Sequence, residues 1–204
     1  TQTNINNNRI VHKGKQGLPT WFGGLTNTFS YKGIDLTALF TFSGGNYIYD
    51  GLRESNSYVR TGTNVILADV YNNTWESGKT NAAYPKLTWN LRDNFNNPNN
   101  GTPSPQTLGT RTTRYLYKGD FARLKTVQVA YNLPDAVVQK IRMQGVRIYL
   151  NVNNLFTITD YPGFDPEYAN VAGNSQDRNL NQGLIGSAPI PQVRSMNAGI
   201  SVTF

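Results

Sequence analysis

Apolar residues recur at every second position in five separate stretches of this chain. In the last, Arg194–Phe204, the apolar residues Met196, Ala198, Ile200, Val202 and Phe204 alternate with Asn197, Gly199, Ser201 and Thr203. A side-chain period of two means a strand with one apolar and one polar face. The first stretch, Trp21–Tyr31, puts Leu25, Phe29 and Tyr31 on one face and Thr26, Thr28 and Ser30 on the other. After a tight turn at Tyr31-Lys32-Gly33, the second stretch, Ile34–Ser43, sets Ile34, Leu36, Ala38, Phe40 and Phe42 against Asp35, Thr37 and Thr41; Leu39 is the exception. Two alternating runs joined this closely predict a hairpin. The third, Tyr115–Leu133, alternates most cleanly from Thr126 to Leu133, and Pro134 ends it because proline has no N–H for a ladder. The fourth, Val146–Phe156, alternates Val146, Ile148, Leu150 and Val152 with Arg147, Tyr149, Asn151 and Asn153. Short helices are expected at Val65–Trp75 and at Asp135–Met143. The second has Val137, Val138 and Ile141 on one side and is closed by Gly145.

The spacing of these strands adds a second signal. Residues 44–113 and 157–191 are long connections, whereas those at Lys32 and at 134–145 are short. A connection as long as 44–113 argues against a compact soluble domain. Membrane β-barrels sort their connections into short periplasmic turns and long external loops. The order short, long, short-to-medium, long has that form when the last strand ends on the periplasmic side. The reading is therefore all-β, with antiparallel strands of a transmembrane barrel. Five strands leave two edges, and lipid cannot satisfy an open edge. The chain is thus expected to be the C-terminal part of a larger barrel. Alone it is expected to need detergent or to aggregate, because Ile34, Phe40, Val129, Ile148 and Ile200 have no core to enter. A passive outer-membrane pore and a soluble all-β carbohydrate-binding module are the competing readings.

Composition sharpens this picture in three places. Only 38% of the 204 residues are hydrophobic, yet 12% are aromatic, and mean hydropathy is −0.49, as strands with one polar face require. No run approaches the ~18 apolar residues of a membrane helix, which does not bear on a barrel. There is no cysteine, hence no disulfide framework. The net charge of +7 comes from Lys and Arg spread along the chain, among them Lys13, Lys15, Arg111, Arg114, Lys118, Arg123, Lys125, Arg142 and Arg147. Such scatter reads as solvated loops and a polar lumen, with contact to anionic lipid headgroups. No basic stripe or module points to nucleic acid. Thr1–Asn8 lacks the regions of a signal peptide and has no initiator Met, so it reads as a loop cut from a longer protein or as a processed or tagged start.

Little in the chain suggests catalysis. His12 is the single histidine, so neither a His/Cys metal cluster nor a Ser-His-Asp arrangement is supported. There is no phosphate-binding Gly-Lys-Ser/Thr loop, and enzyme activity is not expected. Four aromatics in the long connections, Trp75, Tyr84, Trp89 and Tyr168, are ligand-binding candidates, because a sugar's C–H face packs on a π-system. Packing within the loops is the alternative for each. Asp160, Asp165, Glu167 and Asp177 form an acidic group; Asp165 and Glu167 are weak calcium candidates. No EF-hand spacing accompanies them, and Asx turns at Asp160 and Asp165 account for them more simply. No other cofactor is expected. Trp21, Tyr31, Tyr131 and Phe204 suit interfacial aromatic girdles. Gln128, Arg147, Asn151 and Asn153 should face the lumen.

Four segments carry a family resemblance. They run Leu18-Pro19-Thr20-Trp21-Phe22-Gly23-Gly24 on to Leu36, Gly119-Asp120-Phe121-Ala122-Arg123-Leu124 on to Pro134, Val152 to Glu167, and Ile190-Pro191-Gln192-Val193-Arg194. The most specific combination is Asn154-Leu155-Phe156 followed by Tyr161-Pro162-Gly163-Phe164-Asp165-Pro166-Glu167. In these segments the chain resembles the C-terminal quarter of the SusC/RagA family of TonB-dependent outer-membrane transporters. The closing strand also resembles the signal strand of outer-membrane barrels, whose alternating residues, here Met196, Ala198, Ile200, Val202 and terminal Phe204, are read by the barrel-assembly machinery. The resemblance implies a parent barrel of about 22 strands in the bacterial outer membrane, with an internal plug. It also implies TonB acting through the parent's N-terminal part, and a SusD-like surface lipoprotein over the mouth, which the loop aromatics would otherwise contact. The implied substrates are nutrient oligomers: glycans, and in some members peptides. The plug is absent from this chain.

Overall fold

The structure is a computed structural model that describes residues 10–57, 65–87, 112–167, 183–185 and 191–204. The chain divides into two units, one built on residues 18–46, 118–168 and 190–204, the other on 1–17, 47–117 and 169–189.

The first unit is a five-stranded antiparallel sheet. Its strands are β1 (Trp21–Tyr31), β2 (Ile34–Gly44), β5 (Phe121–Asn132), β6 (Gly145–Thr159) and β8 (Ser195–Thr203), paired in that order. β1 and β2 meet through a two-residue turn in which Lys32 and Gly33 have φ of 46° and 82°, the paired positive values of the turn that matches strand twist. A side chain at Gly33 would lie 2.7 Å from the carbonyl oxygen of Asn132, so this position also needs glycine for space. The connection at the same end of the sheet, 133–144, holds one α-helical turn, α3 (Asp135–Val138), and then a 3-10 turn, Gln139–Ile141. This is less helix than the periodicity predicts. Only Val138 is buried, while Val137 and Ile141 are exposed. Arg142, at φ 57°, ends the turn, and Gly145 opens β6 instead of closing the helix.

The registers place every apolar stripe on one side of the sheet. Tyr31, Ile34, Tyr131, Ile148 and Ile200 form one cross-strand row, and Phe29, Leu36, Val129, Leu150 and Ala198 the next. Ala38, Val127, Val152 and Met196 continue the face, with Asn27 as its polar member on β1, and Leu25, Phe40, Leu124 and Phe156 follow. Phe29 is 63% and Ile200 67% exposed, while Leu124 and Val152 are buried: among the described residues nothing covers the rows nearest the tight turn. The other side carries Thr28, Thr37, Gln128, Asn151 and Asn197 in one row, and Thr26, Leu39, Thr126, Asn153 and Ser195 in another. Asp35 anchors this side near the tight turn, accepting from Ser30 Oγ (2.7 Å) and Asn132 Nδ2 (2.8 Å), with Arg147 at 3.9 Å.

Three cross-strand partners pair an aromatic with a glycine: Trp21 with Gly44, Phe42 with Gly23, and Tyr149 with Gly199. In each pair the ring occupies the space that a glycine side chain would need, an arrangement that covers the bare backbone of a strand glycine.

The third predicted strand is where sequence and structure part. Tyr115–Leu133 is not one strand: β4 (Leu116–Lys118) belongs to a different sheet, and β5 begins only at Phe121. The break falls at Gly119-Asp120, whose backbone and carboxylate are committed elsewhere. Gly119 N–H donates to Asn46 O (2.9 Å), and Gly45 N–H donates to Asp120 Oδ1 (2.7 Å). Within β5 a bulge at Lys125 sets that residue opposite Asn154 and Leu155, and Asn154 takes φ 52°. The extra residue shifts the alternation by one. Even positions Ala122 and Leu124 therefore share the apolar side with odd positions Val127 and Val129, and Arg123 falls on the polar side.

The second unit contains a small sheet ordered β4–β3–β7, in which β3 (Tyr47–Asp50) runs parallel to β7 (Leu184–Ile185). Helix α1 (Gly51–Ser55) starts at Asp50, whose carboxylate accepts from Arg53 N–H at 2.8 Å, the usual cap of an N-terminal turn. Helix α2 (Ala68–Asn72) is shorter than the predicted Val65–Trp75. Ile48, Val70 and Ile185 are the buried apolar residues of this unit, together with Tyr115.

The two faces predict opposite responses to charge. In the full-length protein that carries these strands, Val127→Arg should cost about 2–4 kcal/mol of folding stability in a bilayer, since Val127 lies mid-strand on the apolar face. Gln128→Arg, one residue on but on the polar face, should cost less than about 1 kcal/mol. Urea unfolding in lipid vesicles reads both, and equal costs would mean the apolar side does not meet lipid.

Candidate functional site

Of the four loop aromatics, the structure joins the backbones of Trp75 and Tyr84; Trp89 and Tyr168 lie outside the described residues. The segment after α2 runs beside residues 84–87 as a short parallel bridge between Thr74 and Tyr84. Trp75 N–H donates to Tyr84 O (2.9 Å), and Tyr84 N–H donates to Asn73 O (3.1 Å). Thr74 is buried between them. Its hydroxyl donates to Pro85 O (2.6 Å) and accepts from Leu87 N–H (3.2 Å). The indole of Trp75 stays 45% exposed, the state of a side chain still able to take a contact.

Tyr84 is held from three sides. Its hydroxyl donates to Asp69 Oδ2 (3.2 Å), Asp69 also pairs with Arg53, and the Arg114 guanidinium stands over its ring, 5.3 Å from the centroid. Arg114 also donates to Ala83 O. Burial works against the Arg53 charge, but its Tyr84 hydrogen bond and the nearby Tyr117 and Asp69 outweigh it, and its pKa is raised. Burial raises the pKa of Tyr115 and of Tyr117, so both stay neutral donors at physiological pH. Tyr49 Oη donates to the buried Glu54 (2.7 Å). The result is an exposed indole on one strand of a short bridge whose other strand carries a ring held by Asp69 and Arg114.

The acidic group in the last connection has a different character. Asp165 is 3% exposed, and its Oδ1 accepts both Arg123 Nη2 (2.6 Å) and Glu167 N–H (2.9 Å). The second bond is the Asx turn expected at this residue. Glu167 faces Arg123 Nη1 at 3.0 Å and Lys125 Nζ at 3.1 Å. The cation beside both calcium candidates is thus a guanidinium. Among the described residues no group of three or more His, Cys, Asp or Glu has metal-binding placement. Asp160 is exposed at the end of β6, and Asp177 lies outside the described residues. Arg123 corrects the sequence reading: it is 2% exposed, not a solvated lumen charge. Its sequence signal was an arginine on an alternating strand with acids within the Phe-Asp-Pro-Glu segment.

The aromatics assigned to girdles lie at strand ends and are exposed: Tyr31, Tyr131 and Phe204 at the tight-turn end, Trp21 at the other. Gln128, Asn151, Asn153 and Arg147 all lie on the polar side. Met196, Ala198, Ile200 and Val202 continue the apolar face along β8.

Thr74→Val keeps the shape of the Trp75–Tyr84 pair while leaving the Leu87 N–H and the Pro85 carbonyl without partners. It should cost about 1–3 kcal/mol locally. Hydrogen exchange at Tyr84 and Leu87 should then speed up while exchange within β5 and β6 stays unchanged.

No family model matches the sequence. Among curated proteins the chain is 34% identical over 189 residues to TonB-dependent receptor P3 of Formosa agariphila, covering 91% of this chain and 16% of that receptor. It is 33% identical over 191 residues to TonB-dependent receptor P26 of the same organism, covering 92% of this chain and 17% of the receptor. The chain therefore spans only about a sixth of the length of these relatives. Among solved structures it matches the RagAB peptide importer in its "closed-closed" state, with a TM-score of 0.62 and 25% identity over 93% of this chain and 18% of that one. It matches the "open-open" state with a TM-score of 0.60 and 26% identity, over the same shares of the two chains. A faced five-strand meander, the long connections at one end of it, and these likenesses agree: the chain belongs to the SusC/RagA type of TonB-dependent receptors, as a run of strands from their transmembrane β-barrel.

Proposed function

We propose that this chain is a wall section of a TonB-dependent nutrient importer in the bacterial outer membrane. The observation that carries the proposal is the continuous apolar face across β2, β5, β6 and β8, with Leu36, Val129, Ile148, Leu150 and Ile200 exposed on it, backed by a polar face, in a chain whose relatives are TonB-dependent receptors. Lipid covers one side and the transport passage lies along the other. The outer edges of β1 and β8 have no strand partner among the described residues, which is where neighbouring strands of the parent continue the sheet. Energy enters through TonB and the parent's plug, and the barrel-assembly machinery inserts the strands.

The cargo in this reading is a nutrient oligomer. The RagAB structures are of a peptide importer, which favours peptide over glycan, and a SusD-like lipoprotein is the proposed partner at the mouth. The exposed indole of Trp75, on a segment whose backbone is bonded to that of Tyr84, is the proposed contact for cargo. The chain matches the "open-open" and "closed-closed" importers almost equally well. That supports a wall that keeps one shape while opening happens elsewhere.

The test is growth of the source organism on mixed oligopeptides or on oligosaccharides as sole nutrient, with the receptor deleted, restored, or restored in a strain without TonB. Loss of growth in the deleted and TonB-less strains is expected. Growth that survives the loss of TonB would indicate a passive pore. Trp75→Ala with Tyr84→Ala should raise the half-saturating nutrient concentration by up to about tenfold at unchanged receptor abundance. An unchanged concentration would assign the pair to loop packing.

A further inference from the structure

We infer that Arg123 is a positioning residue that fastens both stems of the last external connection to the inner wall, so that the stems stay fixed while the importer works. The inference rests on the reading of this chain as barrel wall. The outgoing stem follows β6 and the returning stem leads into β8, and both meet at one carboxylate. Asp165 of the outgoing stem takes Arg123 Nη2 at 2.6 Å on one oxygen, and on the other takes the backbone N–H of Gln192, from the returning stem, at 3.2 Å. Arg123 itself comes from the wall, placed on the polar side by the bulge at Lys125.

Other bonds lock the same junction. Asn154, the left-handed residue opposite the bulge, donates through Nδ2 to Val193 O at 3.0 Å. Tyr161 N–H donates to Thr159 Oγ1 (3.1 Å), which donates in turn to Asp120 O (2.8 Å). The ring of Tyr161 is buried and packs over Gly163. Lifting the outgoing stem would uncover Asp165 and take both carboxylates, Asp165 and Glu167, from the buried Arg123 charge, and an unpaired buried charge is costly enough to resist that separation. Surface pairs are not like this, and Lys125–Glu167 nearby is one of them.

Nitroxide labels at Phe164 and Val193, both exposed and one on each stem, report the junction in the full-length receptor in outer-membrane vesicles. Pulsed dipolar spectroscopy should give one narrow distance, the same with and without added oligopeptide. Arg123→Met should broaden that distribution about twofold or more. Asp165→Asn, which keeps shape and volume, should do the same if Arg123→Met fails to assemble. Heat-modifiable migration on gels confirms that the barrel itself is folded in each case. A narrow distance in a folded Arg123→Met or Asp165→Asn receptor overturns the inference, as does a wild-type distance that shifts with oligopeptide. Failure of the importer reading would show separately, as nutrient uptake independent of TonB with the stem distance unaffected.

Discussion

Lipid offers no hydrogen bonds, and the sheet is organised around that constraint. Each strand interior to the sheet must give its backbone groups to its neighbours and keep its apolar side chains on one side. The two demands are coupled, because a slip of one residue moves a whole apolar stripe to the wrong face. The registers satisfy both, and they do so through the Lys125 bulge, where one extra residue in β5 resets the alternation. Without that reset, Leu124 and Ala122 would turn inward and Arg123 would turn toward lipid. The bulge thus serves the apolar face and the buried ion pair together.

Much of the sheet was legible because period-two alternation is a local signal. Val127-Gln128-Val129-Ala130-Tyr131 or Val146-Arg147-Ile148-Tyr149-Leu150 can be assigned to faces without knowing the partner strand. The Lys32-Gly33 turn was legible for the same reason, since its glycine and its length fix the hairpin. What failed depended on distant partners. Nothing near Gly119 announces that its N–H is bonded to Asn46, so the break between β4 and β5 was hidden inside an apparently continuous run. The small sheet of β3, β4 and β7 joins residues far apart in sequence, with strands too short to show a period.

The candidate sites divide in the same way. Trp75 and Tyr84 could be singled out as aromatics in a long connection, but their backbone pairing, and the hold of Asp69 and Arg114 on Tyr84, are properties of the folded loop. Arg123 and Asp165 were each visible, one as a scattered cation and one as a possible metal ligand. Their meaning changed because each is the other's partner. A buried charge cannot be read from one residue, since burial depends on what arrives to neutralise it.

The pairing of Tyr149 with Gly199 has a consequence for the relief of the polar face. Tyr149 lies on the polar side, where an upright ring would project into the bore of the barrel. With no side chain at position 199, the phenol packs over the bare backbone of the neighbouring strand. A single missing methyl group on one strand thereby sets how far the ring of the neighbouring strand rises from the polar face.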